Sequence, residues 1–97
     1  MLFGGQRPRP VRMDADGQVV TGEGKICGLC IVGGAAATQV ALYDNTSATG
    51  DPICEGAAGI NSSSPHISFA DFGGIDFSIG LYLDITTTGG AVYIFVI

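Results

Sequence analysis

The sequence predicts an all-β protein, a compact antiparallel β-sandwich or jelly-roll-like fold of about seven strands with an extended N-terminal arm. From Gln18 onward, short apolar runs recur about every ten residues and are separated by clusters of Gly, Asn, Asp, Ser and Thr. No segment repeats its apolar residues at helical spacing. A chain of 97 residues has room for one small core, so we expect an arm over residues 1–16 and a β-sandwich domain over residues 17–97.

The arm is predicted from what its sequence lacks. Gly-Gly at residues 4–5 and Arg-Pro-Arg-Pro at residues 7–10 offer no hydrophobic period that could pack against a core. Proline-rich segments favour extended backbone. We therefore expect residues 1–16 to be extended.

The first half of the domain contains three predicted strands. Residues 18–21 form a short strand that ends at Gly-Glu-Gly. Residues 25–32 are apolar on both faces, which is typical of a central strand that is covered on each side. A Gly/Ala turn at residues 33–37 leads into residues 38–43, where every second residue is expected to face the core.

The next strands follow a loop at residues 44–50 that is rich in turn-forming residues. Residues 52–58 begin with a proline, which favours an edge strand or the start of a strand. Residues 66–69 are a short apolar strand. In residues 71–80, we expect apolar side chains to pack around Gly-Gly at residues 73–74.

The last two predicted strands are strongly apolar. In residues 81–86, Leu81, Leu83 and Ile85 alternate with more polar residues, which predicts one buried face. Gly89-Gly90 predicts a hairpin into residues 91–97, AVYIFVI. Because an exposed strand of this composition would aggregate, we expect it in the centre of a sheet or against a neighbouring subunit.

Composition indicates a protein that works in an assembly. Only 13% of its residues are charged, against about 25% in ordinary soluble domains, so part of the surface must be apolar. The formal net charge is −5, and all four basic residues lie within residues 1–25. An acidic body argues against nucleic-acid binding, which needs Lys and Arg clustered on the folded face.

The sequence contains no predicted membrane or secretion segment. Residues 1–12 carry Arg and Pro where a secretory signal needs an apolar run. Residues 26–43 are uncharged, but Gly33-Gly34 interrupts them, which favours two strands over a membrane-spanning helix. We expect synthesis in the cytoplasm.

The three cysteines are predicted to be reduced and to serve packing. Cys27, Cys30 and Cys54 are odd in number, so a disulfide framework could not use them all. Residues three apart on a strand face opposite sides, so the Cys-x-x-Cys spacing predicts neither a bond nor a shared metal ion.

Catalytic groups are scarce, and we predict no enzyme, cofactor, metal or small-molecule substrate. His66 is the one histidine and follows Ser62, Ser63 and Ser64, but an extended strand does not bring hydroxyl and imidazole together. Asp-Ala-Asp-Gly at residues 14–17 is typical of a turn. It opens like a calcium loop, yet a lysine stands where the bidentate Glu is needed.

The aromatic residues are predicted to pack mainly in the core because they follow strand spacing. Tyr43 and Tyr82 are the exceptions, since each alternates with residues expected to be buried. We expect these two rings to point outward.

Two segments carry a resemblance to known proteins. Residues 40–53, VALYDNTSATGDPI, are a strand ending in Leu-Tyr-Asp-Asn-Thr and a Ser/Gly loop leading into an apolar strand. Residues 72–97, FGGIDFSIGLYLDITTTGGAVYIFVI, add a Phe/Gly segment, Gly-Leu and a Thr/Gly turn before a final strand. In this pattern the chain resembles small all-β phage virion structural proteins of the capsid cement or decoration type. The resemblance implies a structural part of the particle, and residues 1–25 have no counterpart in it.

The leading hypothesis is a capsid cement protein on the exterior of the virion. It would bind the shell of the major capsid protein and itself as a homotrimer, with apolar strands closing contacts between subunits. The arm is expected to contact the partner, because Arg pairs with carboxylates bidentately and proline lowers the entropy lost on docking. The expected interface residues are Arg7, Pro8, Arg9, Pro10 and Arg12.

Two alternatives remain at this point. One is a phage tail, baseplate or head-fibre component that uses the same fold as a ring or adaptor. The other is a carbohydrate-binding module, for which Tyr43 with Tyr82 would be the aromatic platform.

Overall fold

The computed structural model describes residues 7–63, 67–69 and 73–97. These residues form nine strands and no helix. His66, Phe72 and the Gly-Gly of residues 4–5, which the sequence analysis singled out, lie outside the described residues. The strands are β1 (Arg9–Met13), β2 (Gly17–Thr21), β3 (Gly24–Val32), β4 (Thr38–Tyr43), β5 (Cys54–Ala58), β6 (Ile67–Ser68), β7 (Ile75–Phe77), β8 (Gly80–Thr86) and β9 (Ala91–Val96).

The strands form two antiparallel sheets, which confirms the predicted all-β class. One sheet has the order β1-β9-β3-β6, with β7 also paired to β3, and the other has the order β2-β8-β4-β5. The apolar strand β9 lies between β1 and β3, as expected for a strand that cannot be left at an edge. Strand β5 lies at the edge of the four-stranded sheet, in agreement with the proline just before it.

Buried side chains from both sheets form a single core. On β8, Leu81, Leu83 and Ile85 are buried, as their alternation predicted. The register of β3 against β9 shifts between Ile26 and Gly28. This bulge adds one residue, so that both Ile26 and Leu29 reach the core although they are three positions apart. The bulge explains why the core residues of β3 change from an even to an odd position along the strand.

The predicted hairpin at Gly89-Gly90 is wrong. Strand β8 pairs with β2 and β4, whereas β9 pairs with β1 and β3, so the turn carries the chain from one sheet to the other. Both strands bury alternate apolar residues, and both sets belong to one core although the strands lie in different sheets. A Gly-Gly pair is compatible with a turn between two sheets as well as with a hairpin within one sheet. The sequence pattern therefore does not distinguish these two kinds of turn.

A chain of hydrogen bonds fixes this crossing. The Gly90 N–H donates to Thr87 Oγ1 at 2.9 Å, and the buried Thr38 hydroxyl donates to the Val32 carbonyl at 3.0 Å. A hydroxyl has one proton, so in the 2.7 Å bond between Thr87 and Thr38 the donor is Thr87. Gly34 lies against the same turn, and any larger residue is excluded there because its Cβ atom would overlap the Thr88 carbonyl oxygen.

Part of the predicted arm lies in the five-stranded sheet. Residues 9–13 form β1, which pairs along its whole length with β9. The sequence pattern indicated no residue in this segment that could pack against a core. In the structure Val11 and Met13, which are two residues apart and so lie on the same face of β1, pack against the core. Asp16, in the bend that follows, accepts a hydrogen bond from the Ile85 N–H at 2.7 Å. Within the described part of the chain, no helix is long and apolar enough to span a membrane.

Candidate interface

The outer face of the five-stranded sheet is apolar. On β9, Tyr93 and Phe95 alternate with buried core residues and therefore point away from the core. On β3, Cys30 and Val32 share this outer face, and Cys30 lies directly opposite Tyr93. All four side chains are half-buried. From their strand spacing, Tyr93 and Phe95 were expected in the core, and the structure corrects this. Both residues alternate along β9 with core residues, which are Val92, Ile94 and Val96.

The outer face of the four-stranded sheet is polar and acidic instead. Tyr43 and Tyr82 lie directly opposite each other on β4 and β8 and are both half-buried. Their positions alternate with core residues, so they share the outer face of this sheet. Two residues further along β4, Ala41 lies between Asp84 of β8 on one side and Glu55 of β5 on the other. None of the described strand residues of this sheet is Lys or Arg.

The five predicted interface residues lie in and just before β1, and all are exposed. In the register with β9, Pro10 lies opposite Phe95 and Arg12 opposite Tyr93. The structure therefore places these two beside the apolar outer face. Arg12 also lies 3.4 Å from Asp14, so its charge is partly paired.

The other predicted interface residues lie at one end of β1. Arg9 is opposite Val96, and Arg7 and Pro8 precede the strand. Arg7 and Arg9 form no ion pair or hydrogen bond through their side chains within the described chain. No described residue therefore neutralises their positive charges.

A cleft of about 610 Å³ opens at the same end of the molecule, where β3 begins and β9 ends. Phe77 and Ile97 contribute apolar wall, and Glu23, Lys25 and Asp76 contribute charge. Lys25 Nζ lies 3.3 Å from Asp76 Oδ1. The Glu23 carboxylate has no hydrogen bond or ion pair with any described residue.

Asp44 also lines this cleft and holds the turn before β8. Its carboxylate accepts hydrogen bonds from the backbone N–H groups of Ile79 at 2.8 Å, Ser78 at 3.0 Å and Gly80 at 3.4 Å. The Ser78 hydroxyl donates a further bond at 3.3 Å. The bonds from Ile79 and Ser78 in particular hold the pKa of Asp44 below its ordinary value.

Sequence reasoning placed Asp44 in a turn-rich loop and missed this role. Its partners lie more than thirty positions along the chain, at residues 78–80, so no local pattern connects them. The available signal was a carboxylate directly after the last residue of a strand, where backbone N–H groups of a neighbouring turn can converge.

The cysteines contribute packing at separate positions. All three are free thiols, with Cys27 buried and Cys30 and Cys54 half-buried. Burial raises the pKa of the Cys27 thiol, although Lys25 opposes the shift. Burial, reinforced by Glu55, raises the pKa of Cys54. Neither of these two thiols is activated as a nucleophile, because activation requires a lowered pKa.

Over residues 7–63, 67–69 and 73–97, no three side chains of His, Cys, Asp or Glu come together as a metal site would require. Comparison with protein-family models, with curated proteins and with solved structures finds no match for this chain.

Proposed function

We propose that this chain is a capsid cement protein, a phage virion component that binds the outside of the major capsid shell and stabilises it. In this proposal the two sheets are the layers of a compact jelly-roll-like β-sandwich, and the copies form a homotrimer. The contrast between the two outer faces is the observation that carries it. One sheet turns Tyr93 and Phe95 outward, and the other turns out Asp84 and Glu55.

The apolar face has the composition of an interface. Aromatic residues and Arg are enriched at protein contacts, whereas Glu and Asp are depleted. Tyr93 and Phe95 with Arg12 beside them match this pattern, and the four-stranded sheet does not. The apolar face therefore meets the shell, and the acidic face stays in solvent on the particle exterior. The chain would be made in the host cytoplasm and join the particle there.

Two tyrosines provide a matched test. Tyr93 and Tyr82 are both half-buried and both lie on inner strands, but on opposite outer faces. We expect Tyr93→Lys to weaken co-sedimentation with capsid shells assembled without this protein by about tenfold or more, because a lysine is then desolvated in the contact. Tyr82→Lys should leave the affinity within about threefold of the unsubstituted protein.

Circular dichroism and thermal unfolding establish that both variants fold. If Tyr93→Lys unfolds the chain, Val32→Thr places a hydroxyl on the same face with little change of shape. A loss of shell binding that is as large for Tyr82→Lys as for Tyr93→Lys would refute the assignment of faces. Binding to purified tails and not to shells would favour the tail component instead.

A further inference from the structure

We draw no further inference here: the strongest candidate, the pair of Tyr43 and Tyr82 beside Asp84 and Glu55 on the outer face of the four-stranded sheet, is a cross-strand tyrosine pair next to an acidic cluster, and no second feature of the described residues indicates which ligand it would bind.

Discussion

At the scale of single residues, Asp44 shows how a surface carboxylate can hold a fold together. Its carboxylate accepts three backbone N–H groups and one hydroxyl from residues 78–80, joining the end of β4 to the turn before β8. A fixed anion satisfies these N–H groups together. Asp44→Asn keeps the size but removes the charge and turns one end of the side chain into a donor.

We expect Asp44→Asn to lower the melting temperature by several degrees at neutral pH. The pKa of Asp44 is lowered in the folded state from its ordinary value of 3.8, so its contribution to stability is present above about pH 4 and is lost as the pH falls through the folded pKa. The difference in melting temperature between the two proteins should therefore shrink as the pH falls from neutral through the folded pKa.

Thermal unfolding followed by circular dichroism across this pH range measures the effect. Asp84→Asn is the control, because its carboxylate makes no hydrogen bond or ion pair within the described chain. That substitution should move the melting temperature by about 1 °C or less at neutral pH. A difference between Asp44→Asn and the unsubstituted protein that stays constant with pH would contradict the role of the charge.

At the scale of elements, the alternation of apolar residues predicts strands well and their partners poorly. The structure has β4 at the predicted residues 38–43, and β8 buries the residues its alternation indicated. Alternation reports which face of a strand is buried, but not which sheet the strand joins. The crossing at Gly89-Gly90 and the pairing of β1 with β9 depend on residues far apart in sequence. The hydrogen bonds between Asp44 and residues 78–80 do so as well.

Strand β1 is the element whose removal tests this pairing. A chain that starts at Gly17 lacks β1 and leaves one edge of β9, Ala91–Val96, without a partner. That edge carries no charge and no proline, so we expect aggregation on concentration. The lost packing of the half-buried Val11 and Met13 should also cost about 2 kcal/mol or more of the free energy of unfolding.

A chain that starts at Arg9 is the matched control, since it removes residues before β1 and keeps the strand. It should stay soluble and melt within about 1 °C of the full chain. Light scattering during thermal unfolding measures both properties. Equal solubility and equal melting of the chain that starts at Gly17 would mean that β1 adds nothing to the sheet.

At the scale of the whole molecule, charge and hydrophobicity are segregated. All basic residues lie within residues 1–25, and the apolar outer face belongs to the sheet that β1 joins. The opposite outer face is acidic, and the cleft at one end is acidic as well. We propose that the apolar face meets a large partner and that the acidic face stays in solvent.

This arrangement predicts a stabilising effect on intact capsid shells. A protein that binds the assembled shell but not its dissociated subunits stabilises the shell by mass action, by about 2.7 kcal/mol per site when the free protein is at about 100 times its Kd. We therefore expect the temperature at which shells release their nucleic acid, detected with a dye that binds it, to rise with added protein and to level off at saturation. Tyr93→Lys at the same concentration should give a smaller rise, corresponding to about 1.4 kcal/mol per site or less when its Kd is tenfold weaker or worse, because it disturbs the face proposed to meet the shell. A tail or baseplate component would not bind the shell and would leave this temperature unchanged, so a release temperature insensitive to saturating protein would rule out the cement role.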